Sequence, residues 1–166
     1  MKLKLLALLT FASLLSASEL KITSQKFTAD ENTGISIFTG KVNILKNRDE
    51  LNASEVTVYT DKNNSPIKFV AVGKVSFMIT TENGAQYKGK AQKAIYYPKI
   101  KEYHFFEDVH LKQIDDKKDI IGDEVVLKTI EGKAYAKGLD TQPVIMIFDI
   151  SDANESNESN DSNTSK

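Results

Sequence analysis

Gly40-Lys41-Val42-Asn43-Ile44, Gly73-Lys74-Val75-Ser76-Phe77 and Glu107-Asp108-Val109-His110-Leu111 are three versions of one pentad, in which apolar residues alternate with polar ones. A period of two marks a half-buried strand, because successive side chains leave a pleated backbone on opposite faces. Phe38, Gly40, Val42 and Ile44 fall on one face, and Thr39, Lys41 and Asn43 on the other. The first two pentads are 33 residues apart and the next two 34. Between them runs a second element: Ala53-Ser54-Glu55-Val56-Thr57-Val58, Ala91-Gln92-Lys93-Ala94-Ile95-Tyr96 and Gly122-Asp123-Glu124-Val125-Val126-Leu127, a series opened by Ser24-Gln25-Lys26-Phe27. Two elements recurring in fixed order over such a period indicate one supersecondary unit stacked several times, each burying its apolar face against its neighbour. Chance recurrence of valine and lysine in β-rich sequence is the competing account. The ordered alternation of two distinct elements speaks against it.

Clusters of turn-forming residues separate the runs: Asn32-Thr33-Gly34, Lys46-Asn47-Arg48-Asp49, Asp61 to Pro66, Glu82-Asn83-Gly84 and Asp115 to Lys118. Helical stripes are absent, so an all-β fold of short strands joined by hairpins is expected across residues 19–150. Ahead of it, Lys2 and Lys4 precede an apolar run, Leu5 to Leu15, that ends in Ser16-Ala17-Ser18. That pattern is a secretory signal peptide, expected to span residues 1–18; an uncleaved anchor is the alternative. Residues 151–166 are a polar tail with nothing to bury, expected to be disordered. The chain has no cysteine, so neither disulfides nor thiol chemistry is available. With 22 Lys+Arg against 23 Asp+Glu, no broad positive field points to a nucleic-acid partner.

Phe38-Thr39-Gly40-Lys41-Val42, Leu51 to Val56, Ala71-Val72-Gly73-Lys74-Val75 and Lys90 to Tyr97, in that order, resemble the OstA-like (LptA) periplasmic lipopolysaccharide-transport bridge family, over about Leu20 to Phe148. Glu107 departs from the pattern, standing where the other two copies have glycine. The resemblance implies an elongated, V-shaped β-jellyroll of stacked antiparallel strands, open along one side. It also implies a carrier rather than an enzyme, located in the periplasm, holding the lipid A part of lipopolysaccharide in an apolar groove. Its implied partners are an inner-membrane anchored protein of the same fold, an outer-membrane insertion barrel, and further copies of itself joined head to tail.

An acyl chain of ~12 carbons loses ~0.8 kcal/mol per CH₂ on entering water, roughly 10 kcal/mol in all, so a carrier must offer continuous apolar surface. Phe38, Val42, Ile44, Val56, Val58, Val75, Phe77, Ile79, Ile95, Val109, Leu111, Val125 and Leu127 are the residues expected to face inward and supply it. The same residues would equally make the closed core of a sandwich, in which case the chain is a structural β-repeat protein polymerising through its edges. The terminal strands, near Leu20 to Phe27 and Pro143 to Phe148, would leave backbone groups unpaired and open to partner strands.

No catalytic triad, phosphate-binding glycine loop or paired carboxylate stands out, and no cofactor is expected. His104 and His110 would share one face of a straight strand, but with only Glu102 or Asp108 to join them they read as surface residues rather than zinc ligands. Lys26, Lys41, Lys74, Lys90 and Lys93 could meet phosphates at a groove mouth or simply solvate strand faces. In the tail, Asn154, Asn157, Asn160 and Asn163 each have an acid two positions before and Ser two positions after, and Asn63 repeats the pattern with Asp61 and Ser65. This resembles the acid-extended acceptor sequon of bacterial periplasmic oligosaccharyltransferases; drift within a tail of few residue types explains it equally. N-terminal sequencing of the exported protein should begin at Glu19, and a start at Met1 would mean the leader is retained as an anchor.

Overall fold

Five of the seven hairpin turns coincide with the turn clusters, the turns at residues 98–101 and 129–132 being the exceptions, and each long strand is broken near its middle. In a computed structural model that describes residues 19–149, ten strands form one antiparallel sheet. They are β1 (Leu20–Thr23), β2 (Lys26–Asp30), β3 (Ile35–Lys46), β4 (Asp49–Thr60), β5 (Pro66–Thr80), β6 (Gln86–Tyr97), β7 (Glu102–Gln113), β8 (Lys118–Lys128), β9 (Lys133–Lys137) and β10 (Ile145–Phe148). The order is β1-β3-β4-β5-β6-β7-β8-β10, with β2 also on β3 and β9 also on β8. The sheet therefore does not close, and its ends are the pairs β1/β2 and β9/β10. The leader and the polar tail lie outside the described residues.

The repeat has a physical basis in the breaks. Gly40 and Lys41 in β3, Gly73 and Lys74 in β5, and Glu107 and Asp108 in β7 all have positive φ, between 47° and 82°. Each pair inserts one extra residue relative to both neighbouring strands, shown by the register slips Thr39/Val42, Val72/Val75 and Phe106/Val109. Such a bulge bends its strand sharply. The neighbouring strands place their second-element residues against it: Ala53 pairs Val42, Ala91 pairs Val75, and Gly122 pairs Val109. The first pentad makes the bend and the second element lies beside it.

Only a short neighbour fits there. A Cβ on Gly73 would come within 2.8 Å of Ser54 Oγ, and that hydroxyl donates to the Gly73 carbonyl at 3.1 Å. A Cβ on Gly40 would meet the Gln25 side chain, whose backbone N–H donates to the Gly40 carbonyl at 3.0 Å. Those two contacts explain why the pattern begins with glycine. In β7 the bend persists without one: Glu107 and Asp108 adopt φ of 64° and 51° despite their Cβ atoms.

Two arms result. One contains residues 20–23, 42–53, 75–91, 109–122 and 145–148; the other contains 26–39, 55–72, 93–106 and 124–137. They fold toward each other as a V. Phe77 and Phe105 establish this: Phe105 is level with Ala71 through Ala94, six residues from Phe77 along β5, or roughly 20 Å of straight strand. Yet the two rings stack with centroids 4.0 Å apart.

Gly73→Ala should lower the free energy of unfolding by about 1–2 kcal/mol, the cost of a left-handed non-glycine residue. Glu107→Gly should raise it by about 0.5–1 kcal/mol, because relief of that cost exceeds the added backbone entropy of glycine. Urea denaturation of both variants checks this, and a destabilised Glu107→Gly would contradict the left-handed bend in β7.

Candidate functional site

Apolar residues from both arms meet in the interior of the V. Of the residues expected to face inward, Val42, Val56, Val58, Val75, Phe77, Ile79, Val109, Leu111, Val125 and Leu127 are buried there, while Phe38 and Ile44 pack against them partly exposed. Ile95 does not. Its cross-strand partners are Val70 and His104 on the outer face, and its neighbours Ala94 and Tyr96 point inward instead. The bend is the cause: Ala91 and Ala94 both face in although three residues apart, so alternation changes phase across the strand pair flanking a bulge. Aligning the second elements sets Ile95 level with Thr57, an outward position, and that signal outweighs its hydrophobicity. Phe69, Ala71, Tyr103 and Phe105 were not anticipated as interior residues; strict alternation within Lys68 to Val72 and Glu102 to Phe106 would have found them.

Packing is uneven along the V. Toward the C-terminal edge Phe105, Val109, Leu111, Val125 and Leu127 have no exposed surface. Toward the N-terminal edge Val42 and Val56 are fully buried as well, but Ile22, Phe38, Ile44 and Leu51 beside them are only partly covered. A cleft opens there between the arms, with Ile44, Leu51 and Ile79 on one side and Phe69, Ala71, Ala94, Tyr96 and Tyr103 on the other. Its free volume is about 40 Å³, little more than the roughly 30 Å³ share of one water molecule. The arms are in contact.

Lys46, Asp49 and Glu50 bring charge to the lining, and Tyr96 and Tyr103 bring hydroxyls. Lys46 Nζ lies 5.8 Å from the centre of the Tyr96 ring. Asp49 accepts a hydrogen bond from the Thr80 backbone N–H at 2.8 Å. Burial pushes the Asp49 carboxyl above the ordinary carboxylate range, against the opposing pull of that N–H and of Lys46. The Tyr103 hydroxyl is raised too, chiefly by burial. No side chain here is arranged as a nucleophile with a base. The mouth can orient a polar group above an apolar slot.

The lysines singled out in the sequence are not at this mouth. Lys41 and Lys74 sit in the bends, Lys90 and Lys93 on the outer face, and Lys26 on the edge. Lys46 is the cation of the cleft, and no sequence signal distinguished it. His104 and His110 both face outward, His104 3.4 Å from Glu102 and His110 3.7 Å from Asp119, while Asp108 lies in a bend. Among the described residues no cluster of three or more His, Asp or Glu could hold a metal ion.

An open antiparallel sheet folded over an apolar interior defines a jellyroll with two free edges. Residues 21–133 match the family model described as LptA/(LptD N-terminal domain) LPS transport protein, and the chain belongs to that family. The structure is similar to that of LptH from Pseudomonas aeruginosa, described as the LptA homologous periplasmic component of the conserved lipopolysaccharide transport device. The TM-score is 0.69 at 16% identity, covering 80% of this chain and 96% of that one. At that identity the likeness is one of fold. No curated protein matches the chain.

A raised carboxyl makes the folded state bind its proton more tightly than the unfolded chain does, so its contribution to stability is present at low pH and lost as pH rises through the raised value. The stability of the wild type relative to Asp49→Asn should therefore fall as pH increases from 3.8, the ordinary value for the group, and level off once Asp49 ionises. Urea titrations of both proteins at several pH values check this; a constant difference would show that burial does not govern Asp49.

Proposed function

We propose that the chain carries lipopolysaccharide across the periplasm, with the acyl chains of lipid A held between the two arms, and without a catalytic step. The observation that carries this is the cleft: a predominantly apolar slot between the arms, incompletely covered where Ile44, Leu51 and Tyr96 line it, in a lipopolysaccharide-transport family. Seating an acyl chain requires the arms to part, since the free space is far too small as it stands. The hinges for that movement are the left-handed pairs, where a small change in φ and ψ swings one half of a strand against the other. The exposed inner surface would cost free energy in water, and the cargo's own apolar surface offsets it. Lys46 would meet a phosphate of the head group as a point charge beside Asp49 and Glu50.

The two free edges suit strand addition. Val144 and Ile145-Met146-Ile147-Phe148 are all exposed, each of the last four by about half, on a strand whose outer side is unpaired. Leu20 and Phe27 are exposed on the other edge. Because the edges differ, the contact is heterologous and extends head to tail rather than closing. One edge would receive cargo from an inner-membrane anchored protein of the same fold, and the other would pass it toward an outer-membrane insertion barrel.

Photocrosslinkers placed in cells at Phe38, Ile44 and Phe77, with Lys74 as the outward control, should give lipopolysaccharide adducts at the three inner sites only. A folded protein with adducts at none of them would favour the structural polymer instead.

A further inference from the structure

Within the described residues, two asparagines have an acid two positions before and a serine two positions after: Asn52, with Glu50 and Ser54, and Asn63, with Asp61 and Ser65. The fold separates them. Asn52 lies inside β4, paired on one side with Asn43 and on the other with Ser76. Its side chain is engaged at both ends, accepting from Asn43 Nδ2 at 2.9 Å and donating to Glu50 Oε1 at 3.1 Å. An enzyme could reach that amide only by dismantling the sheet.

Asn63 stands at the tip of the β4–β5 hairpin, where residues 61–65 are all exposed. The loop accounts for some of its residues by its own geometry. Asp61 Oδ1 accepts the backbone N–H groups of Asn63 at 2.8 Å and Ser65 at 3.0 Å, the cap that Asp commonly supplies to a turn. Asn64 takes the left-handed position, φ 59°, which asparagine tolerates well. The carboxamide of Asn63, the hydroxyl of Ser65 and Oδ2 of Asp61 have no hydrogen-bond partner among the described residues. The turn consumes Asp61 Oδ1 and Asn64; the three groups an acid-dependent glycosyl transfer must read are the ones left in solvent.

We infer that Asn63 is an acceptor for an N-linked glycan. The donor class is an oligosaccharide on a polyprenyl pyrophosphate, and the enzyme a periplasmic oligosaccharyltransferase that recognises the acid two residues before. The Asn63 amide nitrogen attacks the anomeric carbon and forms the N-glycosidic bond. The bond from that carbon to the pyrophosphate oxygen breaks, polyprenyl pyrophosphate leaves with the electron pair, and the amide gives up one proton to a base of the transferase. Neither β4 nor β5 is an edge strand, so a glycan at this tip leaves both docking edges open. Exposed hairpin tips are where such bulky, solubilising groups are tolerated. The inference rests on the periplasmic location proposed above.

The test is site-resolved mass spectrometry of the full chain, produced in a bacterium that holds an acid-dependent oligosaccharyltransferase, its lipid-linked glycan and a co-produced acceptor peptide as control. Glycan mass is expected on the peptide containing Asn63, with Asn52 bare. It should disappear in Asn63→Gln and in Ser65→Ala, and in Asp61→Asn, which keeps an oxygen to cap the turn but removes the charge. A bare Asn63 on chain recovered from the periplasm of cells whose control peptide is glycosylated overturns the inference, whatever the tail carries. Chain found only in the cytoplasm overturns the location instead.

Discussion

Everything in this molecule depends on placing two consecutive residues in the left-handed region at the middle of a strand. Ordinary L-residues resist that conformation, and a sheet resists an inserted residue, so each bend opposes two local preferences at once. The opposition is overcome because three bends stand in line across the sheet, each flanked by a strand that supplies a short side chain or a glycine. One bend alone would be a local defect in the ladder. Three in register turn a flat sheet into two facing arms, and the facing arms create the interior.

In the proposed function that interior would serve two purposes that pull against each other. Where the arms meet at Phe105, Val109, Leu111, Val125 and Leu127, full burial holds the fold together without disulfides. Where they meet at Ile44, Leu51, Phe69 and Tyr96, burial is incomplete, and the same kind of surface remains available to something else. A carrier needs both in one continuous layer. The sheet supplies them side by side, with fully buried Val42 and Val56 on the same strands as partly covered Ile44 and Leu51.

Most of the fold was legible because its elements repeat. Alternation gave the strands, turn residues gave five of the seven hairpins, and the two recurring elements are the two sides of the bend. The interior was legible wherever alternation ran unbroken, as at Val56 and Val58 or Val75, Phe77 and Ile79. At Ile95 hydrophobicity and phase disagree, because the bend shifts the alternation between Ala91 and Ala94, and the structure follows the phase. The contact between Phe77 and Phe105, and the place of Lys46 at the cleft mouth, were not readable at all. They depend on how far one arm leans toward the other, which no single strand encodes. Glu107 shows that the bend does not require glycine: Glu107 and Asp108 take it with their Cβ atoms in place.

The terminal strands are interrupted at the same level as the interior ones are bent. β1 and β2 are separated by Ser24 and Gln25, opposite the bend of β3, and β9 and β10 by residues 138–144, opposite Gly122 and Asp123 of β8. Each end of the sheet thus carries the profile of the V forward to its outermost backbone. A second molecule added to either end would find the crease already aligned with its own. The seam between molecules would then have the cross-section of any other strand pair, and an amphiphile sliding along the trough would meet no threshold at the junction.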